Sequence, residues 1–174
     1  MRLFQNCGYY APYAQRLRTL HGPGATWSQQ LSTFFADLYS ASHILKPVLD
    51  GDPDAFFANA NDASQQAAWA RENGLAATAS PEEILSAQIE HHRAEVFYNL
   101  DPVGFGSDFV RRLPSSVKAA ICWRAAPSGG ADFSAYARVL CNYPSVIEQY
   151  RAAGMRAVYF SPAHDPALEH YDGS

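Results

Sequence analysis

Short apolar runs alternate along this chain with segments of helical period, and that rhythm limits the fold more tightly than any other feature. Strands separated by helices pair in parallel through crossover connections. The expected class is therefore α/β, a Rossmann-like three-layer domain with a mainly parallel sheet of about six strands. The strands are read at 2–5, 55–58, 95–99, 117–123, 138–142 and 155–160. The last three follow one another closely, and tight right-handed crossovers stack such strands outward along one side of a sheet. The expected strand order is 3-2-1-4-5-6.

Start and stop signals place the helices. A helix of modest quality is read over 10–20, broken by Gly22, Pro23 and Gly24. Thr26 and Gln29 have the capping-box spacing, and Leu31, Phe34, Phe35 and Leu38 follow at i, i+3, i+4 and i+7, predicting a helix to about Leu45 before Pro47 disturbs it. Asp62 caps a predicted helix through Gln66, Trp69 and Ala70 that stops at Asn73 and Gly74. Ser80, Pro81 and Glu83 start another, and a short helix surrounds Phe109. Ser145 and Glu148 are read as a further capping box for a helix ending at Gly154, and 124–130, with Pro127, Gly129 and Gly130, as a mobile loop.

With 174 residues, 48% of them hydrophobic, the chain has material for one well-filled core. Residues 1–162 are read as one domain and 163–174 as a linker or truncated end towards a missing C-terminal domain. No stretch reaches the ~18 apolar residues of a membrane span, and the start MRLFQNCGYY lacks the long apolar region of a secretory signal, so a cytoplasmic location is expected. A net charge of −4 with scattered basic residues leaves no footprint for nucleic acid. Cys7, Cys122 and Cys141 have neither disulfide-framework nor zinc spacing, and His91, His92, His164 and His170 do not repeat at ligand intervals. There is no P-loop, dinucleotide fingerprint or nucleophile elbow, and no metal or cofactor is expected.

In open parallel sheets ligands bind at the carboxyl ends of strands, most of all where strand order reverses. That rule selects Asn6, Gly8, Tyr9 and Tyr10 after the first strand, Asn59 after the second, and Asn99 and Asp101 after the third. It adds Arg124 after the fourth strand, and Asn142 and Tyr143 after the fifth. Amides both donate and accept, as a hydroxyl-rich ligand demands, although asparagine also favours turns for its own backbone contacts. Gly8 lets a ligand approach the backbone, and the tyrosines either stack on sugar faces or cover an apolar edge. Asp101 is placed to take a proton from an acceptor hydroxyl, with a helix cap or Asx turn as the rival account. Arg124 suits a phosphate or carboxylate, or a structural ion pair.

The segment ANANDASQQAAWARENGL, followed by ILSAQIEHHRAEVFYNLDP, resembles the N-terminal domains of bacterial GT-B fold glycosyltransferases of the group 1 type. The matching residues are Asn61, Gln66, Trp69, Ala70, Glu72, Gly74, Gln88, Ile89, Val96 and Tyr98. The later stretch ARVLCNYPSVIEQYRAAGMRAVYFSPAHDP resembles the end of the same domain, with Ala163, Asp165 and Pro166 at the exit towards a second domain. The resemblance implies transfer of a sugar from a nucleotide-sugar donor to a carbohydrate or lipid-linked acceptor, often in envelope polysaccharide synthesis. In that family the C-terminal domain holds the donor, so the chain is expected to be the acceptor-side half and inactive alone. The competing expectation is a non-catalytic Rossmann-like or flavodoxin-like ligand-binding or regulatory module. A small self-contained hydrolase ranks third, since it requires an activated nucleophile such as a cysteine of lowered pKa.

Overall fold

A computed structural model describes residues 1–162 and Pro166. The anticipated linker at 163–174 therefore lies outside the described residues apart from Pro166, as do Ala163 and Asp165 of the expected exit. Six strands form one all-parallel sheet: β1 (Leu3–Asn6), β2 (Ala55–Ala58), β3 (Val96–Asn99), β4 (Ala119–Trp123), β5 (Arg138–Cys141) and β6 (Ala157–Tyr159). Among the described residues seven α-helices accompany them: α1 (Ala11–His21), α2 (Trp27–Ala36), α3 (Lys46–Leu49), α4 (Ala63–Glu72), α5 (Pro81–His91), α6 (Ser107–Val110) and α7 (Pro144–Ala152). The α/β three-layer class read from the sequence is the one observed.

Side chains alternate between the two sheet faces, and each face has its own core. Phe4, Phe97, Cys122 and Val139 join Leu85 and Ile89 of α5, Phe109 of α6 and Ile147 of α7 on one side. Leu3, Phe57, Tyr98 and Trp123 meet Leu17 of α1, Phe34 of α2 and Val48 of α3 on the other. α4 wraps the β2 edge, where Trp69 packs with Ile84 and Trp27.

The strand order is 2-1-3-4-5-6, which corrects the expected 3-2-1-4-5-6. The connection from β1 to β2 runs over one face through α1–α3, whereas α5 leads back over the opposite face. A right-handed crossover on the opposite face travels in the opposite direction, so β3 pairs with β1 rather than with β2. The reversal of strand order thus falls between β1 and β3.

The capping boxes at Thr26 with Gln29 and at Ser80 with Glu83 form as read, and Asp62 caps α4 by accepting from the N–H groups of Ser64 and Gln65. Two readings fail. α2 stops at Ala36 instead of reaching Leu45, because Leu38 and Ser40 take left-handed backbone (φ 54° and 58°) that a right-handed helix cannot include. Pro47 then sits in the first turn of α3, where its missing N–H costs nothing, so it opens a helix rather than ending one. Ser145 and Glu148 do not make a capping box either: Tyr143 is the N-cap and Pro144 begins the helix, leaving Ser145 inside it. The 124–130 segment is irregular, and the Tyr150 hydroxyl ties it down by donating to the Ala126 carbonyl.

Candidate functional site

Asn6, Asn59 and Asn99 lie at the carboxyl ends of β1, β2 and β3 with no solvent exposure. Their polar atoms are spent on the protein. Asn6 Nδ2 donates to Asn99 Oδ1 at 2.8 Å, and Asn6 Oδ1 accepts the Ala60 N–H at 3.0 Å. Asn99 Oδ1 also accepts the Asp101 N–H at 2.9 Å, while its Nδ2 donates to the Tyr136 hydroxyl at 2.7 Å. Asn59 Nδ2 donates to the Cys7 carbonyl at 3.0 Å and its Oδ1 accepts from Gln65. The three amides read as sugar contacts therefore form a buried framework that fixes the loops following the first three strands.

Above this framework opens a cleft of about 390 Å³ whose walls include Gly8, Tyr9, Tyr10, Asp101 and Arg124. Five of the expected site residues thus come together there. Asn142 and Tyr143 are not among its walls; Tyr143 is exposed and heads α7, and Asn142 Oδ1 is buried without a partner.

Asp101 is held by its surroundings. Its Oδ1 accepts the Gly104 N–H at 3.1 Å, an Asx-type turn of the kind weighed as the rival account. Its Oδ2 lies where any side chain at Gly104 would intrude: a Cβ there would stand 2.6 Å away. A Cβ on Gly8 would approach the same oxygen to 3.3 Å. Two glycines therefore leave Oδ2 room on both sides. Asn61 clamps the neighbouring loop, accepting the Tyr9 N–H at 3.2 Å and donating to the Tyr9 carbonyl at 2.8 Å.

The cleft also contains residues that strand-end reasoning missed: Tyr39, Ser40, His43, Asn61 and Trp123. Three of them sit on the turn and 3₁₀ segment (Ala41–His43) that follows α2, a region the helix reading had absorbed. Buried Gln5 positions that segment by donating to the His43 carbonyl and accepting the Leu45 N–H, both at 3.0 Å. Asn61 carried part of the family resemblance but lies beyond the end of β2, past the position the strand-end rule selects.

Burial lowers the His43 pKa, so the ring is neutral at pH 7, and its Nδ1 is buried with no partner. Arg124 Nε is likewise buried without an acceptor, and among the described residues no carboxylate pairs with this guanidinium. Tyr9 is kept protonated far into alkali, first by burial and then by donating its hydroxyl to Asp62. Burial also pushes the Cys7 thiol up to about 12 and raises Cys122, the reverse of an activated nucleophile. Among the described residues no cluster of three histidines, cysteines or carboxylates is placed to hold a metal, and no helix is long and apolar enough to cross a membrane.

A second, larger cavity of about 850 Å³ adjoins the first. It lies between α4 and α5, and the two share Asn61 and Asp101 as common wall. Together they present the Asp101 carboxylate, the Arg124 guanidinium, a neutral imidazole and exposed Tyr10 beside a mainly apolar groove whose wall also includes Arg71 and Glu82. Such a set can bind a hydroxylated or anionic group and move a proton at Asp101 Oδ2. No family model, curated protein or solved structure significantly matches the chain.

Proposed function

We propose that this chain is the acceptor-binding half of a glycosyltransferase that moves a sugar from a nucleotide-sugar donor to a carbohydrate or lipid-linked acceptor. The observation that carries this reading is the setting of Asp101. A carboxylate whose Oδ2 is accommodated only because Gly8 and Gly104 carry no side chain stands at the reversal of strand order and lines both cavities. In the proposed step Oδ2 takes the proton from an acceptor hydroxyl as that oxygen attacks the anomeric carbon. The bond from that carbon to the nucleoside diphosphate breaks, and the diphosphate leaves with the electron pair. Arg124 and Tyr10 contribute to binding at the cleft rim.

Donor binding is assigned to a second α/β domain. Support for it comes from the sheet face over β4–β6, where Ile121, Leu140 and Val158 are only half-buried. Parallel sheets are ordinarily covered on both faces. The test determines the full reading frame, joins residues 1–174 to whatever it adds, and titrates a panel of nucleotide sugars by calorimetry. Binding by the joined protein and none by the isolated chain is expected, and Asp101→Asn should lower transfer by about 10²–10⁴-fold with donor affinity unchanged.

One observation favours the alternative, a non-catalytic binding module. The order 2-1-3-4-5 is that of flavodoxin-like sheets, with β6 added here. A reading frame that ends at Ser174 and binds no nucleotide sugar would select that module.

A further inference from the structure

We infer that the groove between α4 and α5 seats a hydrocarbon tail, and that the ligand reaching Asp101 is a single-chain amphiphile with a hydroxylated head. This deepens the reading of Asp101 given above and rests on it. At about 850 Å³ the groove has the size and the predominantly apolar wall of a small-molecule site. Ala63, Ala67 and Ala70 of α4 supply one side at i, i+4 and i+7, and Leu75, Ile84 and Phe105 continue the wall. Arg71 and Glu82 also line the groove, but along this stretch of the wall the methyl groups and aliphatic edges offer a sugar ring no hydrogen-bond partners. A hydrocarbon needs none.

The wall also holds one unmet polar atom. Gln66 is 2% exposed, and its Nε2 donates to the Asn59 carbonyl at 3.2 Å, yet its Oε1 meets no donor. A buried acceptor left unpaired is costly, so a small turn of the Gln66 side chain that opened this covered oxygen to a ligand O–H or N–H would gain beyond apolar burial. Because Gln66 is anchored beside Asn59 at the strand end, that donor belongs near the head of the ligand.

Continuity supplies the third argument. The apolar groove and the polar cleft meet at Asn61 and Asp101. Two compartments of opposite polarity sharing one carboxylate suit a single molecule lying across both, with its tail along α4 and its hydroxyl beside Oδ2.

The test titrates the full chain with methyl glucoside and a homologous series of alkyl glucosides, each below its micelle concentration, by calorimetry. Affinity is expected to rise about fourfold per added methylene until the groove is filled. Ala67→Trp, at an exposed position of α4, should weaken the longer members at least tenfold, and Ala76→Trp in the exposed turn beyond it repeats the test outside a helix. Ala152→Trp, at an exposed position at the end of α7, should change nothing. Affinity that is flat with chain length, or unmoved by both groove substitutions, overturns the inference. So does a chain that binds no alkyl glucoside but forms a dimer sensitive to Ala67→Trp in ultracentrifugation. The two readings separate cleanly. Flat binding with Asp101-dependent sugar transfer in the joined protein removes only the tail site, whereas chain-length-dependent binding with Asp101→Asn fully active removes only the catalytic assignment.

Discussion

Asn6 donates from Nδ2 to Oδ1 of Asn99 at 2.8 Å, joining β1 to β3 at the point where strand order reverses. The same Asn99 oxygen receives the Asp101 N–H, so one buried amide links the sheet to the loop carrying the candidate base. Asn99→Ala leaves the fully buried Asn6 amide and the half-buried Asp101 N–H without their Asn99 partner. Each stranded donor costs about 1–3 kcal/mol, and the variant is expected to lose roughly 2–4 kcal/mol. Urea unfolding should show a lower midpoint with an unchanged slope. A midpoint within error of the parent would mean that the amide network does not brace the sheet.

Gly104→Ala separates placement of Asp101 from stability. The added Cβ would lie 2.6 Å from Asp101 Oδ2, an overlap relieved by swinging the carboxylate away. Gly104 is not among the glycines with positive φ, so alanine meets no backbone penalty there. Unfolding free energy should change by less than about 1 kcal/mol. Transfer by the joined protein should fall at least tenfold. Full transfer with an unshifted melting point would show that the position of Oδ2 is irrelevant to activity.

Much of this architecture was legible because local signals and tertiary packing agree. Thr26, Asp62 and Ser80 cap helices through contacts within four residues, and such contacts are encoded where they act. The strand order was not legible. It depends on which face carries α5, a choice made by Leu85 and Ile89 packing under Phe4 and Phe97 rather than by any local spacing. The end of α2 was hidden for a similar reason: Asp37 is engaged by Tyr13 and Arg16 from α1, and Leu38 then turns left-handed despite fitting the apolar period. The cleft was half legible. The strand-end rule found Gly8, Asp101 and Arg124, but His43 and Tyr39 arrive from the turn concealed by that longer helix. The rule equally selected Asn6, Asn59 and Asn99, whose burial nothing in their spacing reveals.

His92 sets an acid limit on stability. Its ring stacks on Phe56 with centroids 3.9 Å apart, and burial, then the charges of His91 and Arg2, lower its pKa from 6.5 to about 4. A base whose folded pKa is depressed resists protonation in the native state, so the unfolded chain binds more protons between those values. Stability is therefore full above about pH 6.5 and is lost as pH falls towards 4. His43, also lowered by burial, loses stability in the same direction. After allowance for partial solvent screening, His92 should account for about 1–2 kcal/mol of that loss. His92→Phe retains an aromatic partner for Phe56 and cannot titrate, so its stability should decline less steeply between pH 6.5 and 4. Parallel curves for parent and variant would remove His92 as the cause.

The cysteines decide between the transferase reading and a self-contained hydrolase. Cys7 lines the polar cleft, but it is 3% exposed and its thiol is pushed up to about 12, mainly by burial and further by the Asp101 charge. A thiol with that pKa is ionised to about one part in ten thousand at pH 8, and the thiolate is the reacting species. Cys122 and Cys141 lie in β4 and β5 with no exposure. All three should resist a disulfide reagent at pH 8 in the native protein and react together in urea, at a rate limited by unfolding. One thiol labelled within seconds under native conditions would identify an accessible thiolate in the cleft. It would also make a cysteine nucleophile, rather than Asp101, the group to mutate first.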